Sequence, residues 1–276
     1  TENWDTFGQV QKFPCGTFGV DDFSFKGGPV SMTLEALALP ADTSFKTQDR
    51  TETYESTTLQ EIGQIIAGRA GITLFFEAAD VAIEKVEQNS QNDCDFYCGL
   101  VDKYDLALKI YGDKLVVFSE ADYEAKAVKA ILTPADFDPG WSWSGSTTGT
   151  YTGVKYQYTN SDKNKTFTVE AGDPARLLTV NEPADNLTEA TAIALAAVNK
   201  ANRGAVTMSI TMKARPGLIA SDLVEIQGLK KLDGIYYIES ITHTVGSGYK
   251  MALDLRRVEP RITSATSVAS TVAEGG

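Results

Sequence analysis

Two stretches near opposite ends of the chain, CGTFGVDDFSFKGGPVSMTLEA at residues 15–36 and DGIYYIESITHTVGSGYKMALDL at 233–255, align with a single extra residue in the second turn. Gly16 falls on Gly234, Phe18 on Tyr236, Val20 on Ile238, Asp21 on Glu239, Phe23 on Ile241 and Phe25 on His243. Beyond the turn glycines, Val30 falls on Tyr249, Met32 on Met251, Leu34 on Leu253 and Glu35 on Asp254. Alternating apolar positions set every second side chain on one face of a strand, and a Gly-containing turn supplies the positive φ angles that reverse the chain. Each copy therefore reads as a β-hairpin with one buried face.

The remaining sequence has to house this pair. At 276 residues there is room for two or three modules and a sizeable core. A hydrophobic share of 42% and a charged share of 22% belong to an ordinary globular protein. No run of about twenty apolar residues occurs, so no membrane span or membrane anchor is expected. The opening TENWDTFGQV has no initiator Met and no basic-then-apolar leader. The net charge of −12 argues against specific nucleic-acid binding, because grip on phosphate is dominated by Lys and Arg.

The hydrophobic period changes along the chain. Residues 1–40 read as strands and close at Pro40. From Thr57 to Ala70, TTLQEIGQIIAGRA puts Leu59, Ile62, Ile65, Ile66 and Ala70 on one helical stripe, with Thr57 or Thr58 as N-cap and Gly71 as the stop. A short buried strand, 72–77, follows. A second helix spans about Asn92 to Lys103, with Asp93 at its start favoured by the helix dipole. LALKIYGDKLVVF is a hairpin turning at Tyr111–Lys114. Residues 41–130 thus form a small α+β insert between β modules.

The third section, 131–260, alternates again through WSWSGSTTGTYTGVKYQYT and KTFTVEA. One helix interrupts it at about 187–203, with Asn186 as cap and Gly204 as stop. VTMSITMKA, SDLVEIQG and the closing hairpin complete a barrel-like arrangement. Residues 261–276 carry little to bury and read as a flexible tail. The fold class expected is α+β, mostly β: two tube-like β-barrel domains, the first incomplete, with an α+β insert between them.

Chemistry-bearing patterns are sparse. His243, the one histidine, sits at the strand position matched to Phe25 and reads as structural. No nucleophile elbow, His-Glu-x-x-His motif or phosphate-binding loop occurs. Asp21, Asp22, Asp136 and Asp138 are the carboxylates that could form an acid pair, but Asp136 and Asp138 lie in TPADFDPG, a turn composition. Cys94 and Cys98 share one helix face without further ligands and read as small apolar residues. Trp141, Trp143, Tyr151, Tyr156 and Tyr158 read either as a stacking platform for sugar or single-stranded nucleic acid, or as strand residues packing across a barrel face. No catalytic, cofactor-binding or metal residues are assigned, and the expectation is a non-enzyme without cofactors.

The order of strand hairpin, TLQEIGQIIAGRAGITLFFE, VEQNSQNDCDFYCGLVDKYDLALKIYGDKLVVF and a β domain ending in GIYYIESITHTVGSGYKMALDL resembles the late control protein D family over about residues 10–258. That family forms the baseplate hub of contractile phage tails and phage-derived bacteriocins, and is similar to the hub part of type VI secretion spike proteins. Gln91, Asp93, Phe96 and Leu106–Leu108 fit its pattern, whereas Tyr104-Asp105 stands where a glycine is usual. The resemblance implies a homotrimer, two tube-like domains per chain, and partners among the tail tube protein, the central spike protein and other baseplate proteins. It implies a location in the tail baseplate of a virion or bacteriocin particle assembled in the bacterial host cytoplasm. Family members carry more strands before the point matched to Thr1, so residues upstream of it, or another chain, would complete the first barrel. The alternative is a carbohydrate-binding or cell-wall-degrading tail component, on the strength of the aromatic row.

Overall fold

The computed structural model describes residues 2–3, 9–10, 18–37, 44–111, 113–246 and 248–272. The chain divides into two compact units: Pro14–Ser119, and Glu120–Gly276 together with Thr1–Phe13. β1 (Glu2–Asn3) and β2 (Gln9–Val10) form a short antiparallel pair. β3 (Gly19–Lys26) and β4 (Ser31–Leu37) are the first hairpin.

The rest of the Pro14–Ser119 unit runs α1 (Ser44–Thr47), β5 (Asp49–Thr58), α2 (Leu59–Arg69), β6 (Thr73–Glu77), β7 (Ala82–Asn92), α3 (Asp93–Lys103), β8 (Leu106–Tyr111) and β9 (Lys114–Ser119). Helix α2 starts where a capping box permits it: Thr58 Oγ1 accepts from the Glu61 N–H at 3.2 Å, and the Glu61 carboxylate accepts from the Thr58 N–H at 3.1 Å. It stops before Gly71, whose φ of +66° continues no right-handed helix. Leu59, Ile62, Ile66 and Ala70 are buried as the spacing predicts, but Ile65 is 45% exposed. One residue from Ile66 is about 100° around the helix, which carries Ile65 off the stripe.

β6, β9 and β8 form a three-stranded sheet with β6 parallel to β9. β6 is only alternately half-buried, not the buried strand expected at 72–77. β5 and β7 form a separate two-stranded ribbon. Both ribbon strands are rich in charge and amide groups, with only Tyr54, Ile83 and Gln88 buried, so the hydrophobic period carries no trace of them. Asp105 adopts φ +58°. That is a left-handed conformation, and aspartate is among the few residues other than glycine that tolerate it.

The other unit contains α4 (Glu120–Glu124), β10 (Ala130–Leu132), β11 (Ser142–Gly145), β12 (Gly153–Asn160), β13 (Lys165–Gly172), β14 (Leu177–Val180), α5 (Leu187–Arg203), β15 (Val206–Lys213), β16 (Leu223–Ile226), β17 (Gly234–Val245), β18 (Tyr249–Arg257) and β19 (Ala265–Val272). A six-stranded sheet has the order β10-β16-β17-β18-β15-β11 and a four-stranded sheet the order β14-β12-β13-β19. Leu132 of β10 and Trp143 of β11, at opposite ends of the six-stranded order, join one cluster with Met208, Ile210, Val224, Ile226, Ile238 and Leu253. That sheet is therefore curved round its own core. Helix α5 lies on the four-stranded sheet and buries Ile193, Ala194 and Val198.

The segment 261–276, expected as a flexible tail, contains β19, paired antiparallel with β13 from Lys165↔Val272 to Ala171↔Ala265. Its Ser, Thr, Ala and Val side chains bring little to a core, so hydropathy is silent, while backbone hydrogen bonds along the β13 edge hold the strand.

Helices α2 and α3 meet closely at Gly63. A Cβ there would lie 2.1 Å from Tyr97 Oη, and the Tyr97 hydroxyl donates to the Leu59 carbonyl at 3.0 Å. Gly63→Ala is expected to lower stability by about 1–3 kcal/mol through overpacking, despite the better helix propensity of alanine; urea denaturation followed by circular dichroism measures it.

Candidate assembly surface and its supporting charge networks

The two hairpins agree beyond their alignment. In the first, Val20 pairs with Ala36 and Asp22 with Glu35, leaving Asp21 as an extra, bulged residue. In the second, Ile238 pairs with Leu255 and Ser240 with Asp254, leaving Glu239 bulged. Asp21 and Glu239 are the aligned pair. The pairs beyond the bulge also correspond: Phe23↔Leu34 with Ile241↔Leu253, Phe25↔Met32 with His243↔Met251, and Lys26↔Ser31 with Thr244↔Lys250.

The bulge has a clear consequence. Side chains alternate faces, so residues three apart in an unbroken strand point oppositely. One extra residue restores Val20 to the face of Phe23, and Ile238 to that of Ile241. Each hairpin thereby gathers its apolar side chains on one side and an acidic, hydroxylic row on the other. The odd spacing from Val20 to Phe23 and from Ile238 to Ile241 is the sequence signal for this feature.

The two apolar faces have different surroundings. Met251 and Leu253 are fully buried and Ile241 packs against the same cluster, because β15 lies along β18 and β16 along β17. Phe23, Phe25, Met32 and Leu34 are 62%, 66%, 54% and 54% exposed. Among the described residues, β3 and β4 pair only with each other. These exposed apolar side chains on one hairpin face are the candidate assembly surface.

Charge networks hold each unit. Arg256, 2% exposed, reaches Glu120 at 2.9 Å, Glu124 at 2.7 Å and the bulge residue Glu239 at 3.2 Å. Its guanidinium stacks over Tyr237 with 4.2 Å to the ring centroid, and burial pushes the Tyr237 phenol up to about 12. Arg203 joins Glu120 at 3.0 Å, and Arg261 joins Glu124 at 3.0 Å. Charges withdrawn from water need such multiple partners. Leu37 occupies the Arg256 position in the first hairpin, and no cation among the described residues pairs with Asp21.

In the Pro14–Ser119 unit, Asp93 does more than favour a helix start. Buried at the first turn of α3, it receives Arg50 at 3.2 Å, Arg69 at 3.4 Å and the Gln88 amide at 3.0 Å. Arg69 also binds Glu52, whose pKa its hydrogen bond lowers. Asn92 caps α3, accepting from the Asp95 N–H at 2.8 Å. Cys94 is buried and Cys98 half-buried, both as free thiols. A hydrogen bond from Cys98 lowers the Cys94 pKa to about 7 and raises that of Cys98.

The remaining sequence candidates do not converge. Asp136 accepts from the Thr133 N–H and hydroxyl and pairs with Arg215, while Asp138 pairs with Lys250 at 2.6 Å. Both acids are engaged in ion pairs. His243 Nδ1 lies 2.9 Å from the Tyr249 hydroxyl on the neighbouring strand. Trp143 packs on the six-stranded sheet with Nε1–H directed to Tyr236 Oη at 3.3 Å, and Trp141 stands edge-on to Phe137. Tyr156 belongs to the four-stranded sheet, is fully buried and donates to the Glu182 carbonyl at 2.6 Å. Trp143 lies on the six-stranded sheet and Tyr156 and Tyr158 on the four-stranded one, with Tyr156 in a core, while Trp141 and Tyr151 precede β11 and β12. Among the described residues no group of three or more His, Cys, Asp or Glu could hold a metal ion, and no helix is long and apolar enough to cross a membrane.

Solved structures of phage tail proteins have a fold similar to this arrangement. The tail protein from Neisseria meningitidis MC58 matches with a TM-score of 0.69 and 15% identity, over 91% of this chain and 81% of that one. The 43 kDa tail protein of prophage MuSo2 from Shewanella oneidensis matches with a TM-score of 0.67 and 13% identity, over 86% and 77%. The E. coli c3393 protein, a component of the type VI secretion system structurally similar to T4 bacteriophage tail proteins gp27 and gp5, matches with a TM-score of 0.56 and 9% identity, over 90% and 62%. No family model and no curated protein matches the sequence.

The aligned leucines separate the two faces experimentally. Leu253→Ala should cost about 2–5 kcal/mol, whereas Leu34→Ala should stay within about 0.5 kcal/mol; denaturant unfolding of the two variants measures both.

Proposed function

We propose that the chain is a structural hub of the late control protein D type in the baseplate of a contractile tail or bacteriocin. In this reading it is a non-enzymatic homotrimer that matches a sixfold tail tube to a threefold central spike. Residues 1–40 and 131–260 are the two tube-like modules and 41–130 the insert between them. The tail tube protein, the central spike protein and other baseplate proteins are its partners, in a particle assembled in the host cytoplasm.

The observation that carries the reading is the equivalence of the two hairpins down to the bulged residue. A closed ring needs each copy to present compatible surfaces, and three chains with two like modules each present six. The fold shared with phage tail proteins supports the setting, and function resides in extended interfaces. Against the alternative of a carbohydrate-binding or cell-wall-degrading component stands the placement of Trp143 and the buried Tyr156 on different sheets.

Light scattering of the chain mixed with its spike protein should give a species containing three copies of the 29.8 kDa chain. A one-to-one complex at every concentration would contradict the trimer. Incubation with peptidoglycan should give neither retention nor release of reducing ends.

A further inference from the structure

We propose that Cys94 and Cys98 form a binding site for a soft monovalent cation of the Cu(I) type, held between two thiolates on helix α3. Both are free thiols, Cys94 buried and Cys98 half-buried. They lie four residues apart in an 11-residue helix, which stacks them on one face, one turn above the other. The two thiols are hydrogen-bonded to one another. Cys98 opens the pair to solvent, and Cys94 lies in the first turn of α3, where the positive end of the helix dipole favours a thiolate. Lys46 of α1 and Asp95 of α3 are the charged groups whose fields reach both sulfurs.

Distance decides what the pair can hold. Residues four apart on a helix have Cβ atoms about 5–6 Å apart, whereas a disulfide needs about 3.5–4.5 Å. A direct S–S bond would therefore distort the first turns of α3. An ion bonded to both sulfurs at about 2.3 Å, the length of a zinc–thiolate bond, spans the wider gap with the helix intact. Ligand number then selects the ion. Zinc takes four ligands, or three and a water, and among the described residues no group of three or more His, Cys, Asp or Glu is placed to supply them. Two thiolates alone suit a soft ion content with few ligands, and thiolate softness favours Cu(I). Binding releases both thiol protons, moves no electron and leaves one negative charge on the bis-thiolate. The ion clips the turns of α3 from which Asp93 receives Arg50 and Arg69. The site lies within one chain, so it is independent of trimer formation and of the hub reading.

The full 276-residue chain, reduced and kept free of oxygen, is titrated with Cu(I) against a chromophoric Cu(I) chelator. It should bind one ion per chain, with a rise in thermal midpoint, and X-ray absorption should show two sulfur neighbours at copper and no nitrogen or oxygen. Cys94→Ser and Cys98→Ser should each weaken binding by at least about tenfold, and Zn(II) should not displace the ion. Cys15, the third cysteine, lies outside the described residues, and Cys15→Ser should leave the affinity unchanged. Absent binding, one ion shared by two chains, nitrogen or oxygen neighbours, displacement by Zn(II), loss of affinity in Cys15→Ser, or affinity indifferent to both helix variants overturns the proposal. The absorption spectrum is read on the unsubstituted thiols, so it decides the matter even if a serine variant unfolds.

Discussion

The rest of the structure depends on the face parity of its hairpins. An extended strand cannot place Val20 and Phe23, or Ile238 and Ile241, on one side without an extra residue. The bulges at Asp21 and Glu239 supply it at the same aligned position. Each bulge turns a broken alternation into a continuous apolar face and leaves one acid without a partner residue in the strand ladder. Without the bulge in β17, the contributions of Ile238 and Ile241 would fall on opposite sides of the sheet and the core shared with β15 and β16 would not close over both.

From one local geometry two outcomes follow. Where flanking strands hydrogen-bond both edges, the face becomes the centre of a core, with Met251 and Leu253 fully buried. Where they are missing among the described residues, the same positions stay open to solvent. Burying a side chain of this size is worth about 1.5–3 kcal/mol, so leaving Phe23, Phe25, Met32 and Leu34 exposed forgoes a sizeable stabilisation. The charge networks follow the same logic. Arg256 supports the second bulge through Glu239 and ties it to α4 through Glu120 and Glu124, and the first hairpin has Leu37 in its place.

Much of this is legible in the sequence. The hairpin pair, helix 187–203 with its Asn186 cap, and the strands at VTMSITMKA and SDLVEIQG stand at the positions their periodicity and capping residues imply. The parts not legible share a cause: they are held by hydrogen bonds and paired charges, which leave no hydrophobic period. The β5–β7 ribbon is polar on nearly every side chain, and β19 is stitched to β13 through its backbone. Asp93 looks like an ordinary acid at a helix start, yet its role rests on Arg50 and Arg69, 43 and 24 residues away in the chain. The bulge could have been read from the three-residue spacing, whereas the separation of Trp143 from Tyr156 could not, because sheet membership is decided by partners distant in sequence.

The fold links the chain to phage tail proteins at identities of 13–15%, too low for sequence to carry the relation. The hub proposal takes the duplicated, bulged hairpin as the means by which one polypeptide would stand for two neighbouring ring positions. Cryo-electron microscopy of the assembled tail end tests this most directly. The prediction is six hairpins from three chains, residues 18–37 alternating with 236–257, related by rotations of about 60° round the axis. Hairpins at unequal radii or heights, or a single ring made of one type alone, would contradict it.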